Sequence, residues 1–338
     1  MSVRVGINGF GRIGKGFLRA AAAQGADLDI VAVNDLTSPE VHAHLLKYDS
    51  TMGTYAEEVR ADGDALIVAG HRIQVLAQRD PADLPWADLG VDVVVESTGK
   101  FTDRDAAALH LAAGARRVVI SAPADGADRT IVMGVNDDTF DPTTDFVLSN
   151  ASCTTNCFVP MVKVLDDAFT VTSGLMTTVH AYTSDQSLVD FPHKDLRRAR
   201  AAAINIIPTS TGAARATGLV LQSLAGRLDG VSLRVPVATG SITDFTAVVS
   251  GNPSVEAVNE AFAIAADGPL KGILVYTEAP IVSSDVVGSP ASCTFDAGLT
   301  MVQRIDDATS LAKVLGWYDN EWGYSNRLVD LVRLVGGR

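Results

Sequence analysis

Cysteine is scarce in this chain: three among 338 residues, Cys153, Cys157 and Cys293. Three thiols make no disulfide framework, and a reducing, cytoplasmic setting is expected. Cys153 and Cys157 lie one helical turn apart, but no further ligands stand at convincing spacing, so no metal is expected. Basic residues are in deficit, 27 Lys and Arg against 40 Asp and Glu, for a net charge of −13. A chain this acidic is a poor general binder of nucleic acid or anionic membrane. Any anionic substrate needs a local basic site. No apolar run approaches a membrane span, and Met1 leads straight into a strand-like pattern, so neither a membrane helix nor a signal peptide is expected. Internal repeats and low-complexity linkers are missing too. At 47% hydrophobic, the chain is not disordered and is long enough for two domains with two cores.

The first half alternates strand and helix patterns. Val3-Arg-Val-Gly-Ile-Asn8 is rich in β-branched residues and reads as a strand. Gly9-Phe-Gly11-Arg12-Ile13-Gly14 follows, then a helical face of Ile13, Phe17, Leu18 and Ala21, then a second strand over 29–33. That strand ends at Asn34-Asp35, about twenty residues beyond Gly14. Strand, G-x-G-x-x-G, helix, strand and acidic residue together predict a dinucleotide site. The first two glycines admit backbone amides to a pyrophosphate, and the third lets helix and strand pack closely. Asp35 would accept bonds from an adenosine ribose and repel a 2′-phosphate, with no Arg or Lys in 34–37 to compensate. Val91–Val95 and Arg117–Ile120 read as further parallel strands covered on both faces. Ligands of such sheets lie at the carboxyl ends of the strands, which makes Ser97, Thr98, Gly99 and Ser121 candidate cofactor contacts. Thr102 with Asp105 resembles a capping box for the next helix, which stops at Gly114.

The chain is organised around Ser149-Asn-Ala-Ser-Cys-Thr-Thr-Asn-Cys157. An apolar run precedes it, and a helix is predicted from Ser152 or Cys153 to about Phe169. Small polar residues can cap a helix N-terminus, and a thiol there feels the positive end of the helix dipole, which favours thiolate. Locally, an inert buried cysteine and a nucleophile fit equally well. Pro160 inside this helix predicts a kink or a freed carbonyl near Asn156. Longer strands follow, over 174–180, 231–236, 242–249, 273–282, 299–305 and 311–318, with a helix over 253–267. In 242–249 both alternating faces are apolar, which fits a sheet covered by another subunit or by a helix. The run His193–Arg200 is strongly basic for so acidic a protein. A dinucleotide half joined to a poised cysteine suggests aldehyde oxidation through a hemithioacetal and a thioester. His180, at a strand end, is the best of the six histidines for the base. Its imidazolium would lower the thiol pKa, and the Cys153 N–H could stabilise the oxyanion.

These residues resemble phosphorylating, NAD-dependent glyceraldehyde-3-phosphate dehydrogenases over essentially the whole chain. The matching stretches are 7–14, 31–35, 94–99, 149–157, 193–200, Pro208-Thr-Ser-Thr-Gly-Ala-Ala214 and Trp317-Tyr-Asp-Asn-Glu321. The resemblance implies an α/β architecture: a doubly wound Rossmann domain, 1–151, rejoined by a C-terminal helix over 317–338. It pairs this with an α+β catalytic and tetramerisation domain, 152–316, on a mostly antiparallel sheet. It implies Cys153 as nucleophile and His180 as base. Thr183, Asp185 and Arg234 would surround the phosphate of glyceraldehyde 3-phosphate. Ser152, Thr154, Thr211 and Gly212 would surround inorganic phosphate, with Arg198 nearby. NAD would meet Asn8, Gly9, Gly11, Arg12, Ile13, Gly14, Asp35, Arg79, Ser97, Thr98, Gly99 and Ser121. Asn320 would hold the nicotinamide amide and Tyr324 would pack beside its ring. A homotetramer is implied, with the 180–203 loop near a neighbour's cofactor. The sequence departs from the common family pattern at Val237-Ala-Thr-Gly-Ser241, which puts that loop's shape in question, and at Phe191. Two alternatives remain: erythrose-4-phosphate dehydrogenase, against which the hydroxyl-rich 208–212 turn argues, and a non-catalytic binding role on the same fold.

Overall fold

The computed structural model describes residues 2–337 and divides the chain into two compact units. The first takes in residues up to Ile131, then Asp137–Ala151 and the chain from Ser325 on; the second is Val132–Asn136 and Ser152–Tyr324.

The first unit is built on a nine-stranded sheet. Its strands are β1 (Val3–Asn8), β2 (Leu28–Asn34), β3 (Val59–Asp62), β4 (Ala65–Val68), β5 (His71–Leu76), β6 (Val93–Glu96), β7 (Arg117–Ile120), β8 (Arg129–Thr130) and β9 (Val147–Ser149). The order is β3-β4-β5-β2-β1-β6-β7-β9-β8. Every pairing is parallel except those of β4 with β3 and β5. Val5, Ile7, Val33, Val93, Val94, Val95, Val118 and Val119 are wholly buried, as strands covered on both faces require. The helices here are α1 (Arg12–Ala23), α2 (Pro39–Lys47), α3 (Arg104–Ala107) and α4 (Leu109–Ala112). The cap of α3 is Asp103, whose carboxylate accepts from the Ala106 amide at 2.9 Å, one residue later than the expected Thr102. Asp103 reaches the amide three residues on, which is the geometry an N-cap needs.

The second unit carries an eight-stranded sheet, with β10 (Val171–Ala181), β11 (Ile207–Ser210), β12 (Leu228–Val235), β13 (Ser241–Ser250), β14 (Leu274–Thr277), β15 (Cys293–Asp296), β16 (Met301–Arg304) and β17 (Thr309–Tyr318). Its pairings are antiparallel apart from β10 with β12 and β14 with β15. The strand expected over 273–282 is only four residues long. The helix α5 (Cys153–Phe169) runs uninterrupted through Pro160 and buries Cys157, Phe158, Met161, Val162 and Leu165 against the sheet. Phe158 meets Phe245 edge-on at 4.8 Å. Helices α6 (Ala213–Val220) and α7 (Val255–Asp267) follow; Ser254 caps α7 through the Ala257 amide at 3.1 Å. Along β13 the residues alternate between buried and half-buried up to the exposed Ser250. One face is the core under α5; the other carries Ile242, Thr246 and Val248 only half-covered. A helix therefore covers one face, and only the other is left for a further partner.

The final helix, α8 (Trp322–Gly336), starts five residues later than expected, because residues 317 and 318 end β17. It lies within the first unit from Ser325 on, where Gln24 Nε2 donates to Asn326 Oδ1 at 2.9 Å and Arg117 donates to the Val335 carbonyl at 2.8 Å.

The turn between β1 and α1 leaves no room for side chains at two of its glycines. Gly9 has φ of +92°, and a Cβ there would lie 2.6 Å from the backbone of Ser97 and Thr98. A Cβ at Gly14 would run into the Gly9 carbonyl, whereas one at Gly11 would meet nothing within 4 Å. Gly9→Ala is expected to destabilise the protein by about 1–3 kcal/mol or more, through strain and backbone collision. Gly11→Ala should leave folding unchanged. Calorimetric melting of the two cofactor-free variants checks this, and equal melting temperatures would contradict the assignment of the turn.

Candidate active site

Cys153 is the first residue of α5. Ser152 caps the helix, its Oγ accepting from the Thr155 amide at 3.0 Å. The sulfur is half-buried and lies 3.4 Å from His180 Nε2, near the end of β10. His180 Nδ1 lies 2.6 Å from the Ala181 carbonyl, which can only accept, and 3.2 Å from Arg234 Nη1, which can only donate; the shorter contact assigns the proton to Nδ1 and leaves the Nε2 lone pair to the thiol. Burial, with the Arg234 guanidinium second, holds the imidazole down to about 4. Burial also pushes the Cys153 thiol up, against Arg234, the Thr154 hydroxyl and the helix amides. Desolvation thus acts against the expected imidazolium–thiolate pair at both partners, while the geometry places the imidazole within reach of the thiol. Cys157 is wholly buried in the core, its Sγ 3.6 Å from the Gly316 carbonyl, and its thiol is raised by burial and by Cys293.

Tyr318 braces this pair, a role the sequence did not reveal. Its hydroxyl lies 2.9 Å from both Thr154 Oγ1 on α5 and Thr178 Oγ1 on β10. Thr154, expected at the inorganic phosphate, is buried with its hydroxyl committed to Tyr318.

Around His180 the cations form a chain. Arg234 Nη1 donates to the Ala181 carbonyl at 3.1 Å and to Thr183 Oγ1 at 2.8 Å. Thr183 in turn donates to Asp185. Arg198 donates to Asp185 at 2.8 Å, to Thr209 Oγ1 at 2.8 Å and to the Ser210 carbonyl at 3.4 Å. Arg198 thus links the Thr183–Asp185–Arg234 group to the strand leading to Thr211 and Gly212. Asp185 is an anion and cannot itself hold a phosphate; it orients Thr183 and Arg198. Thr209 and Asp195, joined at 2.6 Å, belong to the same network and were not singled out from sequence. Thr211 Oγ1 accepts from the Ala213 amide at 3.2 Å, at the exposed Gly212 turn that opens α6.

Asn320 is buried, its carboxamide held by the Gly240 amide at 3.2 Å and the Ser241 hydroxyl at 2.9 Å. The loop that departs from the family pattern is the cradle of this residue. Tyr324 is buried in the first turn of α8.

In the first unit a cleft of ~290 Å³ opens at the carboxyl ends of β1, β2 and β6, lined by Asn8, Gly11, Asp35, Arg79, Ser97 and Thr98 among others. Asn34, Leu36, Gln78, Lys100 and Phe101 also line it, without a sequence signal beyond their nearness to strand ends. No side chain caps α1, whose N-cap is Gly11, so its first amides face an open turn suited to a pyrophosphate. Asp35 accepts from the Phe10 amide at 2.9 Å, presenting a carboxylate where a ribose would sit. These residues fit a dinucleotide.

The Arg12 side chain is turned to Asp49 and Thr51, so the contact expected from Arg12 with the pyrophosphate falls to its backbone. Lys15 of α1 donates to the Phe10 carbonyl; burial pulls its ammonium down to about 8, with Asp35 opposing. Ser121 Oγ donates to Ser97 Oγ at 3.0 Å, Gly99 has φ of +69°, and Ile13 is half-buried. Beneath the cleft, Asn8 donates to Glu96 at 2.6 Å and accepts from Asn34 at 2.7 Å. The Trp86 indole donates to His110 Nδ1 at 2.9 Å, so His110 Nε2 carries the proton toward Glu96 at 3.0 Å. Among the described residues no group of three or more acidic, His or Cys side chains is arranged to hold a metal. No helix among them is long and apolar enough to cross a membrane.

Comparison with known proteins identifies the family. The family profile described as glyceraldehyde 3-phosphate dehydrogenase, NAD binding domain, matches residues 3–104, and that of the C-terminal domain matches 152–320. The chain is 60% identical to glyceraldehyde-3-phosphate dehydrogenase 2 of Streptomyces arenae over 99% of both chains. It is 60% identical to the Streptomyces coelicolor glyceraldehyde-3-phosphate dehydrogenase over 100% of both, and 61% identical to that of Mycobacterium tuberculosis over 99% of both. With both family domains matched in order and this identity end to end, the chain belongs to the glyceraldehyde 3-phosphate dehydrogenase family.

Proposed function

We propose that the protein oxidises D-glyceraldehyde 3-phosphate with NAD and inorganic phosphate to 1,3-bisphosphoglycerate, and that Cys153 and His180 carry the chemistry. The observation that supports this most directly is the thiol 3.4 Å from an imidazole nitrogen whose lone pair points to it. His180 Nε2 takes the thiol proton as the sulfur bonds to the aldehyde carbon, and the amides at the start of α5 face the developing oxyanion. His180 returns that proton to the oxyanion, which becomes the hemithioacetal hydroxyl, and takes it back as the hydride leaves the carbon. NAD, when bound, supplies the acceptor for the hydride and leaves as NADH. The acyl group stays on Cys153 as a thioester. Arg234, with Thr183 oriented by Asp185, anchors the substrate's own phosphate. Ser152, Thr211 and the Gly212 amide, with Arg198, hold the attacking phosphate. Its oxygen displaces the sulfur, which leaves as thiolate and recovers its proton.

On the cofactor side, Gly11 and the first amides of α1 receive the pyrophosphate, Asp35 the adenosine ribose, and Asn320 the nicotinamide amide. The exposed apolar residues Leu188, Val189, Phe191, Leu196, Ile204 and Ile206 favour a homotetramer in which other copies cover this loop. Exposed Leu175 and Val231 on the sheet of the second unit add to that surface. We read the enzyme as cytoplasmic, with no nucleic-acid or membrane partner, from its net charge of −13 and three unpaired cysteines.

Cys153→Ser is expected to abolish aldehyde oxidation while Cys157→Ser largely spares it, since a hydroxyl is a far weaker nucleophile near neutral pH. His180→Asn should cost roughly 10²–10⁴-fold in kcat. NADH absorbance reads both, and equal losses in the two cysteine variants would remove Cys153 from the mechanism.

Omitting phosphate should stall turnover after a burst of NADH near one per active site. Thr211→Ala should raise KM for phosphate more than for the aldehyde. Steady full-rate release of 3-phosphoglycerate without phosphate would instead mark a hydrolysing aldehyde dehydrogenase.

The His180 imidazole also makes stability depend on pH. Its folded value of about 4 lies below the ordinary 6.5. Between these values the unfolded chain binds the proton and the folded one does not, so stability rises with pH across the window. Acidification from 6.5 to 4 should remove about 3 kcal/mol that His180→Asn does not lose. The stability gap between the two proteins, followed by calorimetry across that range, should move by that amount in the variant's favour.

A further inference from the structure

Ser241 opens β13 and is almost wholly buried. Its hydroxyl accepts from the Ala181 amide at 3.1 Å and lies 2.9 Å from Asn320 Oδ1. A backbone N–H can only donate, so the single Ser241 proton is left for Asn320. The same logic orients the Asn320 carboxamide. Gly240 presents a backbone N–H at 3.2 Å, and the atom facing it must be the acceptor oxygen. A flipped amide would set its NH2 against that donor. Thr239 Oγ1 lies on the same oxygen at 3.5 Å and is held more closely by Asp319 at 3.0 Å. Asn320 is therefore locked with its oxygen inward and its NH2 turned away from this cluster.

The other side of Ser241 leads to the base. Ala181, whose amide Ser241 accepts, offers its carbonyl to His180 Nδ1 at 2.6 Å and to Arg234 at 3.1 Å. One buried hydroxyl thus joins the residue that fixes the His180 tautomer to the residue proposed for the nicotinamide amide.

We propose that Ser241 is a positioning residue that holds the nicotinamide-binding carboxamide of Asn320 and the His180 segment in one register. The inference rests on the reading of Asn320 given above. It specifies that Asn320 donates through Nδ2, so it recognises the carbonyl oxygen of the nicotinamide carboxamide and not its NH2.

The test compares binding of NAD with that of ADP-ribose, which shares everything except the nicotinamide. Both affinities are measured by calorimetry on the assembled enzyme, for wild type, Ser241→Ala, Ser241→Thr and Asn320→Ala. Ser241→Ala should weaken NAD roughly three- to tenfold, the worth of one hydrogen bond, and leave ADP-ribose unchanged. Ser241→Thr, which keeps the hydroxyl, should restore the ratio. Where Ser241→Ala does not assemble, Ser241→Cys, a weaker donor, takes its place. In the cofactor-free enzyme, Ser241→Ala should also alter the rate at which iodoacetamide alkylates Cys153, because His180 loses its fixed neighbour. A ratio changed in Asn320→Ala but not in Ser241→Ala overturns the role of Ser241 and leaves the reading of Asn320 standing. A ratio unchanged in both overturns that reading and the proposal with it. Equal weakening of NAD and ADP-ribose in Ser241→Ala, or a lowered melting temperature alone, marks a merely structural residue and also overturns it.

Discussion

The hydroxyl of Tyr318 ties α5 to the sheet of the second unit, and the geometry of the thiol depends on it. It reaches Thr154 on the helix and Thr178 on β10, each at 2.9 Å, and burial keeps the phenol protonated. Cys153 precedes Thr154, and His180 lies two residues beyond Thr178 on the same strand. A strut between those threonines therefore sets the distance between sulfur and imidazole. The apolar side of α5 seats the helix against β13 and its neighbours, but hydrophobic contact is not directional. A hydrogen bond at the reactive end supplies the direction that packing leaves open.

The charge arrangement follows from the same economy. In so acidic a chain, Arg198, Arg234 and Arg12 each have a carboxylate or hydroxyl to hold them. Arg198 is aligned by Asp185 and Thr209, Arg234 by Thr183, and Arg12 by Asp49. Such partners reduce the cost of burying a guanidinium, and they also fix where its remaining N–H groups point. His180 is the exception, held neutral by burial and by the adjacent Arg234. Cys157, a turn further along α5, shares the helix but not the exposure; only the core reaches it.

Family membership and the mapped geometry give the departure at 237–241 a physical meaning. Val237-Ala-Thr-Gly-Ser241 bends so that a threonine hydroxyl, a glycine amide and a serine hydroxyl converge on Asn320. Gly240 has φ of +90° and comes so close to Ser283 that a Cβ would collide with its carbonyl. The loop is a different sequence that still supplies donors to the carboxamide.

Local features decided what was legible in the sequence. The glycine turn, the acidic end of β2, the capped start of α5 and the β-branched strands depend on neighbours a few residues away, and short-range sterics and capping govern them. Cys153, His180, Asp35 and the glycines were therefore visible as a pattern. Thr209, Asp195, Tyr318 and the His110–Glu96 pair were not, because each finds its partner only when separate elements meet, from 14 residues away for Thr209 with Asp195 and His110 with Glu96, and from 140 and 164 away for Tyr318. The protonation states belonged to the same category. A helix N-terminus read alone favours a thiolate, but desolvation in the folded unit pushes the thiol up and the imidazole down. Lys15, outside the Asn34–Thr37 stretch, reaches Asp35's field only because the turn that opens α1 is held against Asp35 through the Phe10 amide. Residue type and spacing thus determined which chemistry the chain can carry. Burial and long-range hydrogen bonds, which exist only once the sheets are assembled, decided which atom holds the proton and which side chain is free to act.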